Sequence, residues 1–138
     1  MEIAQLAIDQ AGGDVNGKRI AVLGAAFKPG TDDTRNSPAL TVADHLHAHG
    51  ADVRIYDPQA RLPPREGLTQ VASVEQAVLG AEVVLHLTEW PEFRQLDPEK
   101  LGRLVKQKVV IDGRLRLNAP TWRNAGWKLV QIGRAATL

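Results

Sequence analysis

The stretch Lys18–Leu40, "KRIAVLGAAFKPGTDDTRNSPAL", decides the fold class. Behind Lys18 and Arg19 it opens with a short continuous apolar run that ends at Gly24, the pattern of a strand buried on both faces. Ser37 then precedes Pro38 as a capping residue before a first-turn proline, and "PALTVADHLHAHG" keeps a helical pattern as far as Gly50. A buried strand, a loop rich in glycine, proline and charge, and a helix form the opening unit of a parallel α/β sheet.

The rest of the chain repeats that alternation outward from this unit. "ADVRIYD" (51–57), "EVVLHLT" (82–88), "KVVIDG" (108–113) and "WKLVQIG" (127–133) are further strands. Helices are expected from Ser73, from Asp97-Pro98 and over "APTWRNAG", whereas "PQARLPPREG" (58–67) is an exposed loop and "EWPEFRQLD" is irregular or a single turn. The opening "MEIAQLAIDQAGG" is a helix with Ile3, Leu6, Ala7 and Gln10 at helical spacing, stopped by a glycine pair. These elements predict an α/β fold, a Rossmann-like three-layer sandwich with a five-stranded, mainly parallel sheet of order 3-2-1-4-5. No internal repeat or linker divides the chain.

Composition narrows the function classes. At 138 residues, 43% apolar and 24% charged, the chain suits one ordinary globular domain. A net charge of +1 gives no global field for nucleic acid or an anionic membrane, so an anionic partner must be met by locally placed cations. There are no cysteines, which removes disulfides, thiolate metal sites and any cysteine nucleophile from this chain. No segment is apolar for long enough to span a bilayer, and the N-terminus lacks the basic start of a signal peptide, so a cytoplasmic location is expected.

In such a sheet ligands bind beyond the carboxyl ends of the strands at the switch point beside the first strand. Three stretches are expected to meet there: Gly24 to Arg35, Thr88 to Trp90, and Asp112 to Arg114. The first is not a dinucleotide fingerprint, because Ala26 stands where the second glycine of GxGxxG would let a pyrophosphate approach the backbone. Asp57 occupies the place of a ribose-binding acid, but "YDP" also suits a turn. Lys28, Arg35 and Arg114 could converge on a helix N-terminus and hold a diphosphate, or could pair with Asp32, Asp33 and Asp112. Asp32 and Asp33 are poor metal ligands without further donors, and are taken as loop anchors and helix-start charges.

The histidines are His45, His47, His49 and His86. His45 and His49 are one helical turn apart, yet a zinc site would need the missing glutamate and third ligand, so no metal is expected. His86 lies in an apolar strand and fits a satisfied core histidine better than a catalyst. Trp122 and Trp127 are expected to pack the last helix and strand, whereas Trp90 sits in a loop at the ligand end.

Four motifs in order, "VLGAAFKPGTDDTRNSPAL", "TEWPEF", "VVIDGR" and "GWKLVQIGR", resemble the C-terminal domain of the UDP-glucose/GDP-mannose dehydrogenase family, nearest to its UDP-glucose members. The resemblance runs from Lys18 to Arg134. It implies an enzyme with an N-terminal NAD-binding domain, a central helical region, and this domain for the nucleotide part of a UDP-sugar. Such enzymes oxidise the sugar C6 alcohol to a carboxylate by two hydride transfers to two NAD, through a thiohemiacetal and a thioester on a cysteine. The resemblance assigns Phe27 and Lys28 to substrate contact, Arg114 to the UDP-sugar, and Arg35 to NAD held mainly by the other domain. It assigns no catalytic residue here, and it makes residues 1–13 the tail of the central region, with Met1 a truncation start and 14–138 the UDP-sugar-binding domain. The expected partners are therefore the UDP-sugar and the other domains of the same enzyme, a homo-oligomer, with no nucleic acid and no membrane. Two other readings stay open: a stand-alone nucleotide- or CoA-binding regulatory module, which would prefer adenine to uridine, and an interaction scaffold whose melting temperature no ligand would raise. A UDP-N-acetyl-mannosamine or GDP-mannose enzyme would share the same domain.

Overall fold

The computed structural model describes residues 2–25, 37–62, 66–88, 90–114 and 117–131. Its strands are β1 (Arg19–Leu23), β2 (Asp52–Tyr56), β3 (Leu68–Gln70), β4 (Val83–His86), β5 (Val109–Asp112) and β6 (Lys128–Gln131). They form one sheet in the order β3-β2-β1-β4-β5-β6, and every pairing is parallel. The sheet therefore has six strands where the apolar runs predict five. The strand they miss is β3, which takes the third place at the edge beside β2, while the run at 82–88 becomes β4 and pairs with β1.

The central strands are apolar throughout because both of their faces are covered. Ile20, Ala21, Val22, Val83, Val84, Leu85 and Ile111 have no exposed surface. Among the described residues the helices are α1 (Glu2–Gln10), α2 (Pro38–Ala48), α3 (Val74–Val78), α4 (Pro98–Gly102) and α5 (Ala119–Asn124). Right-handed crossovers place α2 on one face, where α1 packs against it, and α3, α4 and α5 on the other. α1 buries Ala4, Ala7 and Ile8. A 3-10 turn, Pro91–Gln95, inserts the fully buried Phe93 on the second side.

Local chemistry sets the short helices. Ser73 accepts from the Gln76 backbone N–H at 3.1 Å, Asp97 from Glu99 at 3.0 Å, and Asn118 from Thr121 at 3.1 Å, so each satisfies one of the donors a first turn leaves open. Ser37 departs from its expected role. It occupies the N-cap position of α2, but its hydroxyl makes no cap bond and donates instead to the Ala25 carbonyl at 2.6 Å. Trp122 and Trp127 pack as expected, edge to face with ring centres 4.9 Å apart.

Candidate functional site

The strand register brings the chemistry to one rim. Leu23 of β1 lies opposite Tyr56 of β2 and His86 of β4, and His86 lies opposite Asp112 of β5, so the last residues of four strands are in line. Backbone bonds carry the alignment one step further: Gly24 N–H to Tyr56 O at 2.7 Å, Leu87 N–H to Leu23 O at 3.1 Å, and Gly113 N–H to His86 O at 3.0 Å. The described starts of the three stretches singled out at the carboxyl ends are thus neighbours.

Phe27, Lys28 and Arg35 lie outside the described residues, as do Asp32 and Asp33. The two ends of their loop are described, and they are joined. Ala25 donates its N–H to Asp57 Oδ2 at 2.8 Å and accepts the Ser37 hydroxyl at 2.6 Å. The Ser37 bond closes the neck between the two described ends, and the Asp57 bond ties that neck to the turn after β2.

Asp57 is the hub of this rim. It is 6% exposed, and its Oδ2 accepts from Ala25 N–H and, at 3.2 Å, from the Trp90 indole N–H. Its Oδ1 accepts from the N–H groups of Gln59 at 2.8 Å and Ala60 at 2.6 Å. Among the described residues, four donors match the roughly four lone-pair positions of a carboxylate, so a ribose hydroxyl would have to displace one of them. The turn reading of Asp57 accounts for the geometry. The sequence beside it, with Ala26 in place of the fingerprint's second glycine, is not a dinucleotide motif. Trp90, at 9% exposed, is an anchor of the β4 loop to Asp57.

Arg114 is exposed, two residues beyond the end of β5. Its N–H donates to Asp112 Oδ1 at 3.1 Å, which sets the turn that presents its side chain. Asp112 is fully buried and also takes donors from His86 Nδ1 at 2.9 Å, Leu117 N–H at 2.9 Å and Gln131 Nε2 at 3.4 Å. Burial alone would raise its pKa, but the His86 bond and the two backbone donors outweigh it and hold the carboxyl below its usual range. This acid serves the turn from within the sheet, and among the described residues no Lys or Arg side chain pairs with it. His86 is a core histidine, 1% exposed, satisfied at Nδ1 but not at Nε2. His45 and His49 stack with ring centres 4.7 Å apart, and the described residues hold no group of three or more metal-ligating side chains.

Tyr56 and Phe93 complete the underside of the rim. Their rings meet edge to face at 6.1 Å, and the Tyr56 hydroxyl donates to Glu92 at 3.0 Å. Burial first, and the bond to Glu92 second, push its pKa up to about 12. Tyr56 is the sole tyrosine in the chain, so a phenolate absorbance titration reports it alone. The curve is expected to turn over near 12. In Glu92→Gln it should move back toward the ordinary value of about 10. Because the folded value lies above the unfolded one, the associated stability is complete below about pH 10 and is lost as the pH rises toward the folded value. A wild-type midpoint near 10 would contradict the Tyr56–Glu92 bond.

A depression of about 450 Å³ lies between the ends of β2 and β3, lined in part by Gln59, Arg61 and Gln70. It lies on the far side of β2 from Arg114 and shares Tyr56 and Asp57 with the rim. Among the described residues no helix is long and apolar enough to cross a membrane.

Comparison with known proteins supplies the family. Residues 21–119 match the model of the UDP-glucose/GDP-mannose dehydrogenase family, UDP binding domain. A UDP-glucose 6-dehydrogenase of Rhizobium meliloti is 39% identical over 130 residues, covering 92% of this chain and 30% of the relative. The chain thus spans less than a third of the length of that relative. Among solved structures, a UDP-D-ManNAc dehydrogenase from Pyrococcus horikoshii superposes with a TM-score of 0.75 at 36% identity, over 94% of this chain and 28% of that one. A UDP-glucose dehydrogenase from Pyrobaculum islandicum gives 0.70 at 30% identity, over 94% and 28%. With the parallel sheet, the aligned strand ends and the matched residues in agreement, the chain belongs to the UDP-glucose/GDP-mannose dehydrogenase family, and residues 21–119 are its UDP binding domain.

Proposed function

We propose that this chain is the C-terminal, UDP-binding part of a UDP-glucose 6-dehydrogenase, an enzyme that oxidises UDP-glucose to UDP-glucuronate with two NAD. The observation that carries the reading is Arg114, set at the carboxyl rim by the buried Asp112 and aligned with the ends of β1 and β4. An arginine fixed by its backbone at that rim suits a diphosphate, which its planar donors can grip in pairs. Phe27 and Lys28 complete the substrate contacts in this reading, and Arg35 reaches NAD held by another domain. The chemistry needs a thiolate, and this chain has no cysteine, so the part described here binds and orients the nucleotide and is inactive alone. Residues 1–13 then continue from a central helical region that builds the homo-oligomer, and the setting is cytoplasmic.

Isothermal titration with UDP tests this. Binding is expected to be weak, in the ~millimolar range, because half of the site lies on other domains. Arg114→Ala should cost about 1.5–3 kcal/mol, at least a tenfold loss of affinity. No binding by wild type at millimolar ligand, or unchanged binding after the substitution, would sink the proposal.

A second reading has support in the similarity to the Pyrococcus horikoshii structure, a UDP-D-ManNAc dehydrogenase. It keeps UDP and changes the sugar. Competition between UDP-glucose and UDP-N-acetyl-mannosamine on the full-length enzyme distinguishes the two.

A further inference from the structure

His86 is a buried titratable group that UDP binding does not explain. It ends β4 after Val83, Val84 and Leu85, where a leucine would pack without polar cost. Its Nδ1 lies 2.9 Å from Asp112 Oδ1. A carboxylate is an acceptor, so Nδ1 carries the hydrogen and donates. Nε2 is buried with no hydrogen-bond partner, and Phe93 packs edge to face at 5.7 Å. An unsatisfied buried nitrogen calls for a reason, because its desolvation is not recovered.

The reason lies in where the donors to Asp112 come from. Arg114 and Leu117 N–H groups belong to the segment that follows β5, and Gln131 ends β6. His86 alone reaches in from β4, on the strand that pairs with β1. Its ring shares Asp112 Oδ1 with the Arg114 N–H, so it fixes the carboxylate rotamer that in turn fixes the Arg114 backbone. Without the ring, Oδ1 would keep the Arg114 N–H alone while Oδ2 keeps Leu117 and Gln131, so the half of the carboxylate that holds Arg114 is the half that is loosened.

We propose that His86 is a positioning residue for nucleotide binding, holding Asp112 so that the turn after β5 presents Arg114 to the diphosphate. This rests on the reading of Arg114 as a UDP contact and adds the group that sets its orientation. His86→Leu conserves volume and apolar surroundings, which leaves the strand able to form. Amide hydrogen exchange on the 138-residue chain should show the Arg114 and Leu117 N–H groups exchanging about tenfold faster, with the β1–β4 ladder unchanged. Affinity for UDP should fall about fivefold. His86→Asn, whose amide nitrogen takes the place of Nδ1 and can donate to Asp112, should recover most of both effects. A purely structural histidine would instead loosen the β4 ladder as a whole, and asparagine would not rescue it.

Unchanged exchange at both amides overturns the proposal, as does faster exchange with unchanged UDP affinity. If wild type fails to bind UDP, the UDP reading falls on its own, while the amide comparison still decides what His86 holds. Should the leucine variant fail to fold, His86→Asn decides: both amides within about twofold of wild type support the role, and a tenfold loss of protection refutes it.

Discussion

Gly24→Ala is expected to lower the stability of the fold by about 3 kcal/mol or more, from two separable causes. Gly24 has φ of 100°, a left-handed conformation that alone costs an alanine about 1–2 kcal/mol. The larger cause is contact. A Cβ at this position would lie 2.5 Å from Thr88 Oγ1 and 2.9 Å from the Thr88 backbone nitrogen. Thr88 is 1% exposed and its backbone cannot swing aside, so the ends of β1 and β4 would have to separate. Gly13 provides the control, since its φ is 94° and a Cβ there would meet nothing within 4 Å. Urea unfolding of both variants should give about 1–2 kcal/mol for Gly13→Ala and clearly more for Gly24→Ala. Equal losses would mean that the close approach of β1 and β4 carries no energy. The glycine of this family motif would then be explained by its backbone conformation alone.

The same pair of strand ends indicates what is legible in the chain and what is not. β1, β2, β4, β5 and β6 announce themselves because buried parallel strands are apolar runs. β3 does not, because "LTQ" is an edge strand of three residues in which Leu68 is half-buried and the other two are exposed. Its place is set by register with Val53–Ile55, not by its own pattern. The site divides in a similar way. Arg114 could be placed at the rim from its position just past a strand. The roles of the residues behind it could not, since His86 and Asp112 are 26 positions apart and meet only through the β4–β5 register. Ser37 carries the local signal of a helix cap, yet a carbonyl twelve residues back takes its hydroxyl, a tertiary partner that no local rule supplies.

Asp57→Ala should cost about 3–5 kcal/mol and loosen the entrance of the loop that carries Phe27 and Lys28. The mechanism is the desertion of donors. Ala25, Gln59, Ala60 and the Trp90 indole all give their hydrogens to this one carboxylate. Removing it leaves each to find water or stay unpaired, at about 1–3 kcal/mol for those that remain buried. Gln59 is exposed and recovers most of its loss, whereas Ala25 has no exposed surface and Trp90 very little. Asp57→Asn separates the two oxygens. Its carbonyl can keep the Gln59 and Ala60 bonds of the turn, but its NH₂ then faces the Ala25 and Trp90 donors. Asparagine should therefore keep the turn after β2 and free the other two hydrogens. By NMR, the Trp90 indole and Ala25 amide protons should exchange faster while the Ala60 amide stays protected. If all three remain protected in Asp57→Asn, the carboxylate is not the tie between the loops. If instead the Trp90 and Ala25 protons are freed as expected, UDP affinity should fall with them, because Ala25 fixes the base of the loop from which Lys28 would reach the phosphates in the proposed reading.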